Sequence, residues 1–191
     1  MFIVLEGIDG CGKSTQAKLL YNWLKKKHDV ILTKEPTENK IGKFIREILS
    51  GSISVDPKTL ALLFTADRYE HLENEVIPAL NSKKIVVCER YYFSTIAYQA
   101  AQGLEREWLE NLNKFALKPD IALFIDVLPE IAVKRTVTGE IFETCEFSKK
   151  IYKNYLNFNL IKINGKQDVK GVFEDIKVVV ENKIQNSGSV N

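Results

Sequence analysis

The run Gly7-Ile8-Asp9-Gly10-Cys11-Gly12-Lys13-Ser14, followed by Thr15, fits the phosphate-cradling pattern G-x-x-x-x-G-K-[ST]. Glycines in such a loop let the backbone turn successive N–H groups inward as an anion nest. The helix that starts at its end adds a partial positive charge. Lys13 then reaches a terminal phosphate, and the Ser14 hydroxyl ligates magnesium. Gly7 to Thr15 therefore predict a nucleoside triphosphate site. The bland alternative is a tight strand-to-helix turn with an incidental lysine, and the context weighs against it. Apolar Phe2-Ile3-Val4-Leu5 precedes the loop, and Ala17, Leu20 and Leu24 recur on one helical face after it.

Other candidates surround that motif. A carboxylate at Asp9, inside the loop, repels bound phosphates unless it turns away. It could accept from a sugar hydroxyl, hold a magnesium-bound water, or simply stabilise the turn. The chain has five arginines: Arg46, Arg68, Arg90, Arg106 and Arg135. Arginine suits forked contacts to phosphate. Arg90 stands just past the apolar run Ile85–Cys88, after Glu89, so its side chain should project into a cleft facing the loop; the competing role is an ion pair with Glu89. Phe64 and Arg68, four residues apart, share a helix face. They would supply an aromatic to stack on a base and an arginine to bond its edge, or else core packing plus a surface charge.

These residues need elements to carry them. Short apolar runs recur at Phe2–Leu5, Val30–Leu32, Ile85–Cys88, Ile121–Ile125 and Leu160–Ile163. Helical patterns fall between them, at Lys13–Lys27, Ile41–Leu49, Thr59–Leu80, a pair within Ser94–Ala116, Pro129–Lys134, Phe147–Asn157 and Val172–Ile184. The alternation predicts an α/β fold, a five-stranded parallel sheet with helices on both faces. Ligands in such folds bind beyond the carboxyl ends of the strands. Glu35-Pro36, Glu89-Arg90-Tyr91 and Asp126 all fall there. Gly139 lies in the polar stretch Thr136–Glu140, which could be a mobile lid or a plain surface connection.

The whole chain sets bounds. Its 191 residues suit one domain, read as 1–185, with a lid about 136–147 and a polar tail at 186–191. A net charge of +2 does not point to nucleic acid. Cys11, Cys88 and Cys145 have no metal-ligand spacing and fit reduced thiols of a cytoplasmic protein. The chain opens on an apolar strand, leaving no room for a signal peptide. No apolar run approaches membrane-span length, so no membrane partner is expected.

Leu63-Phe64-Thr65-Ala66-Asp67-Arg68, then Glu89-Arg90-Tyr91-Tyr92-Phe93-Ser94-Thr95-Ile96-Ala97-Tyr98-Gln99, resemble the F-A-A-D-R and D-R-Y-x-x-S-x-x-A-Y-Q motifs of thymidylate kinases. The phosphate loop with its Asp, Thr33-Lys34-Glu35-Pro36 (close to T-R-E-P) and Asp126-Val127-Leu128-Pro129-Glu130 (close to D-V-x-P-E) follow the family in order. The resemblance covers residues 2 to about 135 and thins to Tyr152, Tyr155 and Leu156 beyond.

The resemblance implies a P-loop nucleoside monophosphate kinase that moves the ATP γ-phosphoryl group to dTMP with Mg2+. It implies that Phe64 stacks on thymine, Arg68 bonds its O4 and Thr95 faces the base edge. Tyr98 would lie under the deoxyribose and Asp9 would meet the 3′-hydroxyl. Arg90 would hold the acceptor phosphate, with Arg46 a second candidate. Glu35, Pro36 and Ser94 complete the implied acceptor site, and residues 164 to 167 would border adenine. Ser14 and water-bridged Glu89 would hold magnesium. A homodimer built on the helices near Thr59 and Ser94 is also implied. Related kinases for another nucleotide or deoxynucleoside, and a binder with little turnover, are the alternatives. No N-K-x-D guanine motif supports a GTPase switch.

Two departures from the family stand out. Glu89 replaces the usual Asp. The family's catalytic arginine, in the loop or the lid, has no counterpart: the loop reads Gly10-Cys11, and no arginine follows Arg135. Arg135, Lys149 and Lys150 are the candidate substitutes, Arg135 first because it stands where the lid begins.

Overall fold

The computed structural model describes residues 1–135 and 144–188. Five strands make one sheet: β1 (Phe2–Glu6), β2 (Val30–Lys34), β3 (Ile85–Glu89), β4 (Ile121–Asp126) and β5 (Ile161–Asn164). The order is β2-β3-β1-β4-β5 and every pairing is parallel. β1 is central, with Ile3 opposite Val87 on one side and Ile121 on the other.

Alternation along the strands assigns their faces. Ile3, Leu5, Val87 and Leu123 share a core with Leu20 and Leu24 of α1 (Lys13–Leu24) and with Ile176 and Val180 of α9 (Val169–Gly188). Phe2, Val4, Val86 and Cys88 point the other way, onto Leu72, Val76 and Ala79. The expected parallel sheet with helices on both faces is what the molecule adopts.

The remaining helices are α2 (Lys40–Leu49), α3 (Pro57–His71), α4 (Ile77–Asn81), α5 (Tyr92–Ala101), α6 (Arg106–Leu112), α7 (Pro129–Ala132) and α8 (Cys145–Tyr155). Asp56 caps α3: its Oδ1 accepts from the N–H groups of Lys58 and Thr59, and Pro57 takes the first turn. The helix expected over Thr59–Leu80 is interrupted. A π-helical turn, Leu72–Val76, separates α3 from α4. Pro78 has no N–H to continue the α ladder and crowds the preceding turn, which widens instead. The first helix stops at Leu24, not Lys27, so Lys25 to Lys27 lie beyond its end. The expected lid lies outside the described residues except for its end, where Thr144 caps α8 by accepting from the Phe147 N–H.

Because every strand runs the same way, Glu6, Lys34, Glu89 and Asp126 end together at one edge.

Candidate active site

The loop after β1 emerges at the centre of that edge. Gly10 and Gly12 have φ of 77° and 98°, where a side chain would be strained. Gly7 is held by space as well: a Cβ there would meet Cys11 Sγ at 2.6 Å and the Ile125 carbonyl at 3.1 Å. α1 begins directly after Gly12 with no side-chain cap, so its positive end faces the loop. The Lys13 ammonium is buried and donates to the Gly7 and Ile8 carbonyls at 2.9 and 2.8 Å. Ser14 Oγ donates to Glu89 Oε1 at 2.7 Å, while Thr15 faces solvent.

Asp9 turns away from the nest. It forms an ion pair with Arg90 and accepts from the Tyr98 hydroxyl at 2.7 Å. Burial pushes the Asp9 carboxyl up, but the charges of Arg90 and Lys13 outweigh it and hold it below its ordinary value. Burial raises the Tyr98 hydroxyl well above the usual phenol range, so it remains a donor to Asp9. The alternative pairing of Arg90 with Glu89 gives way to Asp9, because Glu89 points to Ser14. Arg90 itself has φ of 67°, an uncommon value for a residue with a side chain. Its N–H is anchored on the Leu5 carbonyl at 3.0 Å and its Nη1 donates to Ser94 Oγ at 3.2 Å. A strained junction between β3 and α5 thus swings the guanidinium back over the loop.

Glu6 supports this junction and had no role in the sequence reading. It is fully buried, accepting from the Tyr91 N–H at 2.8 Å, from Ser94 Oγ at 2.6 Å and from the Tyr155 hydroxyl at 2.8 Å. Burial raises its carboxyl despite those donors. Glu6 therefore caps α5 from another element and fixes Ser94 beneath Arg90.

A cleft of about 240 Å³ opens beside the Asp9–Arg90 pair. Glu35, Pro36, Arg46, Phe64 and Arg68 line it, as do Glu89, Ser94, Thr95 and Tyr98. Arg68 is only 1% exposed, which excludes a surface charge. Its Nη1 donates to Asn113 Oδ1 at 2.6 Å; its Nη2 meets Thr95 Oγ1 at 2.9 Å and Glu35 Oε2 at 2.7 Å. Arg46 donates to the Pro36 carbonyl at 2.9 Å and pairs with Glu38 at 2.8 Å. The sequence reading missed Asn113, and it quoted Gln99 without a role. Gln99 lines the cleft with a buried Oε1 that has no hydrogen-bond partner.

The matching family model is that of thymidylate kinases, over residues 5–176. The chain belongs to the thymidylate kinase family. A probable thymidylate kinase of Thermococcus onnurineus is 41% identical over 96% of this chain and 98% of its own. One from Methanocaldococcus jannaschii is 48% identical over 92% and 93%, and one from Pyrococcus abyssi 41% over 96% and 97%.

Other candidate residues of this thymidylate kinase family member lie apart from the cleft lining. Arg135 ends a short 3-10 turn, Val133–Arg135, and is exposed. Lys149 pairs with Glu146 at 3.2 Å and Glu130 at 3.6 Å, and Lys150 faces solvent. Asn164 ends β5 and Gly165 to Gln167 turn beyond it, where the Gly165 N–H bonds the Asp126 carbonyl at 3.0 Å. Among the described residues no helix is long and apolar enough to cross a membrane, and no group of three His, Cys, Asp or Glu side chains could hold a metal.

Proposed function

We propose that this thymidylate kinase family member transfers the γ-phosphoryl group of ATP to dTMP, giving ADP and dTDP. The observation that carries the reading is Asp9, a carboxylate inside the phosphate loop, tied to Arg90 and Tyr98 at the mouth of the cleft holding Phe64 and Arg68. One end of the site is built for phosphates and the other for a flat base with an acceptor edge.

Lys13 and the N–H groups of the loop and of α1 hold the donor phosphates. Arg90 aligns the acceptor phosphate, with Arg46 beside it on α2. Tyr98 closes the space under the sugar, and Asp9 accepts from the 3′-hydroxyl. Phe64 stacks on the base and Arg68 donates to O4. Thr95 and Gln99 stand along the remaining edge; thymine N3–H is a donor, and Gln99 Oε1 is a buried acceptor without a hydrogen-bond partner. No covalent intermediate is needed, since positioning and charge neutralisation do the work.

Ser14 and Glu89 bring two oxygen ligands to 2.7 Å of one another at the end of the nest, a donor set that fits a hard cation. Mg2+ held there, through water on the Glu89 side, would neutralise charge on the donor phosphates. Arg135 takes the part of the absent loop or lid arginine. The chain works as a single unit over 1–185 and as a homodimer. A cytoplasmic setting is part of the same reading, supported by its three unbridged cysteines.

The test is ADP release with Mg·ATP against dTMP, dUMP, UMP, dGMP, AMP and thymidine. A clear preference for dTMP is expected. Preference for thymidine would show that Arg90 does not serve an acceptor phosphate. ATP binding without turnover on any acceptor would leave a nucleotide-binding protein rather than a kinase.

A further inference from the structure

One buried group beside the base pocket has no part in this scheme. His71, in the last turn of α3, is 1% exposed. Its Nδ1 lies 3.1 Å from Glu35 Oε1, and Glu35 Oε2 in turn lies 2.7 Å from Arg68 Nη2. One carboxylate thus bridges the imidazole and the guanidinium. On the far side, His71 Nε2 meets Thr33 Oγ1 at 2.7 Å and Glu75 Oε2 at 3.4 Å. A carboxylate only accepts, so His71 presents an Nδ1–H to Glu35.

The terminal torsion of a glutamate is broad, and a carboxylate held at one oxygen can swing. His71 grips the second oxygen and stops that motion. Arg68 is hydrogen-bonded to Asn113 and Thr95, and Glu35, whose Oε2 has no hydrogen-bond partner among the described residues, acts on it as an ion pair; a carboxylate fixed in place keeps that charge where it draws the guanidinium into one orientation. An oriented N–H donor attracts a carbonyl at the 4-position of a pyrimidine and is opposed by the hydrogens of an amino group there. A guanidinium held by Asn113 and Thr95 alone, with the Glu35 charge displaced, is aimed less firmly and weakens both effects.

We propose that His71 is a positioning residue for base selection, acting through Glu35 on Arg68 to favour 4-oxo over 4-amino pyrimidine nucleotides. The proposal rests on the reading of Arg68 as the group that meets O4.

Two amides separate the ring nitrogens. Asn in place of His71 puts an N–H near the Nδ1 position and keeps the grip on Glu35. Gln puts its amide near Nε2 and loses that grip. The experiment measures kcat and KM for dTMP and dCMP, and KM for ATP, with wild type, His71→Asn and His71→Gln. His71→Gln is expected to raise KM for dTMP about tenfold, the scale of a lost hydrogen bond to a charged group. The dTMP-over-dCMP preference should narrow with it, while KM for ATP and kcat stay within about twofold, because the side-chain bonds of Asp9, Lys13 and Ser14 run to Arg90, Tyr98, Glu89 and the loop's own carbonyls rather than to this relay. His71→Asn should retain most of the preference. Equal behaviour of the two variants, or a parallel rise in both KM values with the preference intact, overturns the proposal.

A second measurement needs no variant. The chain has two histidines, His28 and His71, so the imidazole 15N resonances are readily assigned. Adding dTMP should shift the His71 signal and ATP alone should not; a signal indifferent to dTMP overturns the proposal. Wild-type protein that fails to prefer dTMP over dCMP sinks the Arg68 reading and the proposal together. Wild type that prefers dTMP while the amides behave alike sinks the proposal alone.

Discussion

A carboxylate inside a phosphate nest is tolerable only if a cation answers it, and Asp9 has Arg90. The pair also links folding to pH. Its folded carboxyl sits below the ordinary Asp value of about 3.9, so the stabilisation is present above that pH. It disappears as pH falls through the depressed folded value, because both states are then protonated. Asp9→Asn should cost about 1.5–3 kcal/mol at neutral pH, the range for hydrogen bonds to charged groups. Urea denaturation of both proteins at pH 7 and pH 3 would show the gap narrowing in acid; a gap independent of pH would mean that Asp9 contributes without its charge. Arg135 is the other decisive residue. If it neutralises charge on the transferred group, Arg135→Ala should lower kcat by about 10³-fold or more with little change in either KM. Unchanged turnover would hand the role to Lys149 or Lys150. The nest, Asp9 and Arg90 were legible in the sequence because their residue types and spacing are local. Glu6, Asn113 and the link from His71 to Arg68 were not. Glu6 meets Ser94 across 88 positions and Asn113 meets Arg68 across 45, and no periodicity records such pairs.

The strands were readable because a parallel sheet buried on both faces demands unbroken apolar runs. Helix ends were less so. Pro78 was visible in the sequence, but whether a chain kinks, stops or widens into a π turn there depends on what packs behind it. Gly42 passed unnoticed for a similar reason. It sits in the first turn of α2, where glycine has no helical advantage. A Cβ there would lie 2.0 Å from the Thr37 carbonyl oxygen. The close approach seats α2 on Thr37, whose N–H and hydroxyl both bond Asp67 of α3, at 2.8 and 2.6 Å. Arg46 is carried on the same helix. Gly42→Ala should therefore destabilise the protein by about 1–3 kcal/mol, as overpacking does, rather than gain helix propensity. It should also raise KM for dTMP while leaving KM for ATP near wild type. A gain in the urea midpoint would show that α2 can slide off Thr37 without loss.

At the scale of the molecule, α3 has two faces with different duties. Phe64, Arg68 and His71 turn toward the cleft and its supporting relay, while Lys58, Leu62 and Ala66 form an exposed stripe at helical spacing. Leu62, at the centre of that stripe, is 49% exposed. α5, the other helix expected at a dimer interface, has Ser94 to Gln99 buried within its own chain against α3 and α8. We therefore propose that the homodimer rests mainly on the outer face of α3. Leu62→Asp puts a charge at its centre, where burial without a partner is costly. Light scattering should then give a mass near 21.8 kDa, against about twice that for wild type. Because one rigid helix carries both faces, the monomer should also show a raised KM for dTMP with ATP binding intact. A Leu62→Asp protein that remains dimeric would move the interface elsewhere. One that becomes monomeric with unaltered kinetics would show that α3 is already held by its own fold, through Asp67 on Thr37 and Arg68 on Asn113, and needs no partner to keep the base pocket in shape.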